Sequence, residues 1–191
     1  FRTYGKLNSD KSNAILICHA LTADQFVADN HPITKKNGWW NNMIGPNKPI
    51  DTNKFFVICS NVLGGCIGST GPKEINSIKN SYFALDFPTI TIKDMVAAQK
   101  LLIDNLQINK LFAIVGASMG AMQVLQWIID FPKNINNSIH IAGSLKHSAQ
   151  NIAFHEVGRQ AIMSDPNWCG GNYLAQKKIP ERGLSIARMI A

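Results

Sequence analysis

The chain has 191 residues, 46% of them hydrophobic and 16% charged, which suggests one domain, or one domain with a small appendage, and excludes disorder, a collagen-like chain and a disulfide scaffold. A formal charge of +7 and a pI near 9.3 raise the question of nucleic acid, but the positive charge is mostly lysine, scattered singly or in pairs such as Lys35-Lys36 and Lys177-Lys178. With no basic block and no nucleic-acid motif, we read a solvated lysine surface, compatible with an anionic small substrate. No apolar run approaches the ~20 residues needed to span a bilayer and no signal-peptide pattern opens the chain, so a cytoplasmic protein away from membranes is expected.

Apolar runs of strand length alternate with helical patterns. Ala14 to His19 is continuously apolar up to its last residue, as expected of a strand covered on both faces. Asn30 to Asp51, with Pro32, Trp39-Trp40 and Pro49, reads as a long excursion, and Phe55 to Val62 as a second strand. Leu63 to Pro88, rich in Gly, Ser and Asn, reads as a long loop over the sheet edge. Thr91 to Asp94 fits a capping box, followed at helical spacing by Met95, Ala98, Leu102 and Leu106. Leu111 to Val115 predicts a third strand, Met119 to Phe131 a helix stopped at Pro132, and Ser138 to Ala142 a fourth strand. Beyond Ser144 the pattern is helical, over Ser148 to Asp165 and from Gly183 onward, broken at Gly170-Gly171. This order predicts an α/β fold with a mostly parallel sheet, core 1–144, and the beginning of a helical lid over 145–191. The sequence opens at Phe1 without Met and closes within a helical pattern, so a fragment cut at both ends is expected.

Two of the four cysteines, Cys18 and Cys59, fall inside strand runs and read as small hydrophobes. Cys66 and Cys169 complete the set, and the absence of C-x-x-C spacing argues for reduced thiols rather than a zinc site. The histidines are dispersed and no H-E-x-x-H occurs, so no metal is expected. Gly64 to Gly71 fits neither phosphate-binding glycine pattern and reads as turns or as the wall of a substrate tunnel. Trp39-Trp40 reads as a packed anchor.

The strongest chemical signal is Gly116-Ala117-Ser118-Met119-Gly120, a G-x-S-x-G motif with a chance expectation of roughly 0.05 in this length. It follows the strand L-F-A-I-V directly and opens a helix, the setting of a nucleophile elbow. Glycines two residues either side allow strand and helix to approach while Ser118 projects its hydroxyl as nucleophile. The alternative is an ordinary turn with a capping serine. An elbow needs an oxyanion hole; its first donor would be the Met119 N–H, and the second comes by position from the loop after Ala14 to Cys18, best from the Leu21 N–H. His19 itself reads as a satisfied core histidine.

The stretches N-A-I-L-I-C-H-A-L-T, G-W-W-N-N-M-I-G-P, F-F-V-I-C-S-N-V-L-G-G-C-I-G-S-T-G-P, G-A-S-M-G-A-M-Q-V-L-Q-W, S-A-Q-N-I-A-F-H-E-V-G-R-Q-A-I and D-P-N-W-C-G-G-N-Y resemble the homoserine O-acetyltransferase family of methionine biosynthesis, in the same order over nearly the whole chain. The resemblance implies the α/β-hydrolase fold with a helical lid and acyl transfer from acetyl-CoA to L-homoserine, without a cofactor beyond acetyl-CoA as co-substrate. It also admits a homodimer through the lid. It matches Ser118 to the nucleophile, Leu21 and Met119 to the oxyanion amides, and Arg188 to a lid arginine that binds substrate. From sequence alone Arg188 reads as a surface helix charge; its planar fork suits a carboxylate. Ala117 and Ala121 stand where the family usually has Gly. Homoserine and serine succinyltransferases share the scaffold and remain alternatives, as do an esterase and a non-catalytic truncated remnant.

In this fold the triad acid and base follow the lid. Asp130, Asp165, His140, His147 and His155 all come after Ser118, but none sits where the family places them. Loss of the base costs on the order of 10⁶ in kcat, so these 191 residues alone are expected to be nearly inactive. An incomplete sheet is expected to expose an apolar edge and make the isolated chain poorly soluble.

Overall fold

The computed structural model describes residues 1–190. Residues 1–69 and 90–144 form one compact unit, and 70–89 with 145–190 a second. The second unit therefore draws on two stretches of chain, where the sequence suggested one.

The first unit is built on a five-stranded sheet. Its strands are β1 (Arg2–Tyr4), β2 (Ala14–Cys18), β5 (Phe56–Cys59), β8 (Leu111–Ala117) and β9 (Ile135–Ile141), in the order β1-β5-β2-β8-β9. Only β1 runs antiparallel to its neighbour; the other pairs are parallel. All five residues of β2 are buried, which explains their unbroken apolarity. Successive side chains go to opposite faces: Ala14, Leu16 and Cys18 join Val96, Ile103, Val124 and Trp127 in one core cluster. Ile15 and Ile17 join Val27, Ile44, Val57 and Val115 in the other. A fully buried Leu or Ile contributes about 1.5–3 kcal/mol, so the two clusters fix which way β2 faces.

Helices α1 (Ile92–Asn105) and α2 (Met119–Asp130) cover the first cluster. The capping box forms at the start of α1: Thr91 accepts from the Asp94 N–H, and Asp94 accepts from the Thr91 N–H. The opposite face has no helix in this unit. The excursion after β2 covers it, with Val27 and Ile44 fully buried and a short parallel ladder, β3 (Ile44–Gly45) with β4 (Ile50–Asp51). Trp39 and Trp40 stack with centroids 5.4 Å apart, and the Trp39 indole donates to the Asp24 carbonyl at 2.8 Å; both hold this cover in place.

Strand limits differ from the sequence reading in several places. β8 continues through Gly116 and Ala117 into the motif. β9 begins at Ile135 rather than Ser138, and all of it after Ile135 is exposed. A strand covered on neither face carries no continuous apolar signal, and Asn136-Asn137 hid its start. β1 is three residues long and was not legible.

In the second unit, β6 (Ile75–Asn76) pairs antiparallel with β7 (Ser81–Tyr82), and α3 (Ala149–Met163) packs on α4 (Glu181–Ile190). The helices approach closely at Gly183, where a Cβ would stand 2.4 Å from the Ala161 carbonyl oxygen. Asp165 links the turn after α3 to α4: its carboxylate accepts from the N–H of Gly183 and of Asn167, both at 2.9 Å. Among the described residues no helix is long and apolar enough to cross a membrane. Ala191, the last position of the expected lid, lies outside the described residues.

Candidate active site

Ser118 stands between the end of β8 and the start of α2, with φ 55° and ψ −120°. A non-glycine residue held at positive φ costs of order 1–3 kcal/mol and persists only where its surroundings impose it. Here they do. The Ser118 N–H donates to the Ile141 carbonyl at 3.1 Å, continuing the β8–β9 ladder by one bond, and the Ser118 carbonyl accepts from Ala121 and Met122 in the first turn of α2. The two flanking glycines permit this geometry: a Cβ on Gly116 would stand 2.2 Å from the Gly120 carbonyl oxygen, and one on Gly120 would stand 2.0 Å from that of Cys18. The serine side chain makes no capping hydrogen bond and is exposed, which removes the capping-serine alternative.

Leu21 lies in the turn after β2, three residues past Cys18, and β2 and β8 are neighbours in register, Cys18 opposite Gly116. Among the described residues, neither the Leu21 nor the Met119 N–H is engaged by a hydrogen bond. Two backbone donors without a hydrogen bond thus lie on loops that follow adjacent strands, β2 and β8, at the same end of the sheet.

His19 is 1% exposed and fully used. Nδ1 lies 2.8 Å from the Ala20 carbonyl and Nε2 accepts from the Val62 N–H at 3.2 Å. A carbonyl can only accept, so the ring is neutral with its proton on Nδ1; burial lowers its pKa. It is a core histidine bracing the turn that carries Leu21. Burial likewise pushes the Cys18 thiol up to about 12 and that of Cys59 well above its ordinary value, so neither serves as a nucleophile.

No hydrogen bond joins Ser118 Oγ to a histidine or a carboxylate among the described residues. His140 lies on β9, opposite Gly116, and His147 stacks on His155 in the second unit, centroids 5.3 Å apart. Asp130 accepts from Gln126, and Asp165 is the helix link described above. Arg188 is exposed in the last turn of α4. Ala121 is fully buried, and its methyl fits because residue 143 is Gly: a Cβ there would come within 2.5 Å of it. Among the described residues no three potential ligands gather to hold a metal. A cavity of about 580 Å³ within the second unit, between Tyr82, Leu85, Gly171 and Leu174, includes neither Ser118 nor Arg188.

The family model described as alpha/beta hydrolase fold matches residues 13–189. The chain belongs to this family. Its membership accounts for the mostly parallel sheet flanked by helices. Over all 191 residues the chain is 60% identical to the homoserine O-acetyltransferase of Rhodospirillum rubrum, covering 49% of that protein; it spans about half the length of the curated relatives it matches. A crystal structure of homoserine O-acetyltransferase from Bacillus anthracis superposes with a TM-score of 0.90 at 35% identity, over 98% of this chain and 52% of that one. The esterase E22 superposes with a TM-score of 0.89, also at 35% identity, over 98% of this chain and 53% of that one. The resemblance noted in the sequence is to the same group of proteins.

Two buried side chains behind the elbow escaped the sequence reading. Gln99 on α1 and Gln123 on α2 are 3% and 0% exposed. Both sit on the inward stripe of their helix, with Val96 and Ile103 in one case and Gly120, Val124 and Trp127 in the other. A glutamine on an apolar stripe was the available signal.

Proposed function

We propose that the whole protein is an acyltransferase carrying an acetyl group from acetyl-CoA to the hydroxyl of L-homoserine through an ester on Ser118. The observation that carries this reading is the 60% identity to a homoserine O-acetyltransferase along the entire chain, with Ser118 exposed in a strained elbow. A base takes the Ser118 proton as Oγ attacks the thioester carbonyl, and the Leu21 and Met119 amides receive the oxyanion. The intermediate collapses with cleavage of the C–S bond, and CoA leaves as the thiol with that proton. The homoserine hydroxyl then gives its proton to the same base and attacks the acyl carbon; the Ser118 oxygen leaves and takes the proton back. Arg188 suits the acceptor's carboxylate through two parallel hydrogen bonds. In this reading the base and its carboxylate partner come from outside the described residues, in the order Ser, Asp, His along the chain.

The test is purified full-length protein given acetyl-CoA, with and without L-homoserine. Thiol release that depends on homoserine, with O-acetylhomoserine identified by mass, is expected; Ser118→Ala should lower the rate on the order of 10⁶-fold. Succinyl-CoA and L-serine run in parallel to fix donor and acceptor. The likeness to esterase E22 favours one second reading, hydrolysis. Acetate released with water alone, indifferent to homoserine, would decide for it.

A further inference from the structure

Beneath the elbow lies a buried chain of side-chain hydrogen bonds with one possible polarity. The Trp127 indole N–H, which can only donate, reaches Gln99 Oε1 at 2.7 Å. That fixes the Gln99 amide, whose Nε2 donates to Gln123 Oε1 at 2.6 Å. Gln123 must then turn its NH₂ outward, and its two protons face two backbone carbonyls: His19 at 3.3 Å and Met119 at 3.4 Å. The Cys18 thiol adds a weak contact to Gln99 Oε1 at 3.8 Å.

The two carbonyls that Gln123 joins belong to the two segments that carry the free amides. Met119 supplies one donor itself, and His19 ends the strand two residues before Leu21. Gly120 packs against the Cys18 and His19 carbonyls, but among the described residues the side-chain amide of Gln123 is what hydrogen-bonds to both the His19 and the Met119 carbonyl, and the His19 ring braces the same turn against Val62. A polar pair buried this completely is retained only when each atom is satisfied. Here satisfaction depends on the His19 and Met119 carbonyls being held at one separation.

We propose that Gln123, oriented by Gln99 and Trp127, is a positioning residue that sets the spacing of the Leu21 and Met119 amides. The proposal rests on reading those amides as the oxyanion hole. Gln123 touches no reacting atom. Its contribution is to keep both donors on the position the oxyanion occupies, where a displacement of about 1 Å costs on the order of 10²-fold in rate.

The experiment uses the full-length protein and Gln123→Met, which keeps the length of the side chain and removes both protons. Acyl transfer and the hydrolysis of p-nitrophenyl acetate are measured together with the affinity of a trifluoromethyl ketone, which adds Ser118 Oγ and presents a tetrahedral oxyanion. The expected result is a kcat about 10- to 100-fold lower on either assay, a parallel loss of ketone affinity, and a KM for acetyl-CoA changed less than about twofold. A variant that melts like the parent and keeps its kcat and ketone affinity overturns the proposal. So does one whose only change is a lower melting temperature. If Gln123→Met does not fold, Trp127→Phe, which removes the donor that sets the polarity, decides by the same split between kcat and KM. A parent protein that forms no ketone adduct defeats the reading of the site, and the relay with it. A parent that forms the adduct and hydrolyses the ester, but ignores homoserine, defeats only the acetyltransferase reading.

Discussion

Gly120 is excluded from carrying a side chain by backbone atoms rather than by movable neighbours. The Cys18 carbonyl oxygen lies 2.0 Å from where its Cβ would be, and the His19 carbonyl oxygen 3.2 Å. Gly120→Ala must therefore push α2 away from β2, displacing Met119 from the turn that bears Leu21. The expected cost is about 1–3 kcal/mol by denaturant melt, with a fall in kcat; a variant unchanged in both would show that the helix can slide. His19 is read through pH. Its folded-state pKa lies below the ordinary 6.5 because burial disfavours the cation. The unfolded chain therefore binds the proton first, and stability from this group is complete above about pH 6.5 and drains as pH falls through the folded value. Melting temperature should fall more steeply between pH 7 and 5 in the parent than in His19→Leu; parallel slopes would refute this. The strained turn at Ser118 was legible because G-x-S-x-G after an apolar run dictates a turn. Gln123 was not, because its meaning depends on which two carbonyls it meets, and that is set by packing between α2 and β2.

At the scale of elements, α4 depends on a carboxylate that belongs to none of the helices. Asp165 is held below the ordinary carboxylate range chiefly by the N–H of Gly183, then by that of Asn167. For a carboxylate with a lowered folded pKa, the stabilisation is present above the unfolded value, 3.8, and is lost as pH falls through the folded one. Asp165→Ala should lower the protection factor of the Gly183 amide at neutral pH, and the parent's protection factor should approach the variant's only in acid. Equal exchange in parent and variant at pH 7 would mean that Gly183 is protected by packing against Ala161 alone. The helices were legible as elements, since Thr91 and Asp94 form the expected box and Pro132 follows α2. Among strands the outcome followed burial: β2, covered on both faces, stood out, whereas β9 alternates Ile139, His140 and Ile141 in solvent and was shortened by three residues. The ladders β3–β4 and β6–β7, two residues per strand, are too short for any period to register.

For the 191-residue chain taken as a whole, the exposed strand sets behaviour in solution. β9 pairs with β8 along one side and is the last strand of the sheet on the other, so among the described residues its outer N–H and C=O groups have no neighbouring strand. Ile139 and Ile141 are 50% and 39% exposed, and no lysine, proline or bulge interrupts Ile135–Ile141. An edge of this length with apolar side chains is a template for another strand. The net charge of +7 opposes association only over a Debye length, about 8 Å at physiological salt, so repulsion should weaken as salt is added while edge pairing does not. The 191-residue chain should therefore sediment as a mixture whose mean mass rises with concentration, and rises further with salt. Ile139→Lys places a charge on the strand and removes a large apolar group from it; it should return the chain toward monomer without lowering its melting temperature, because a half-exposed side chain contributes little to the core. A parent chain that sediments as a single monomer at every concentration would show that β9 does not act as such a template.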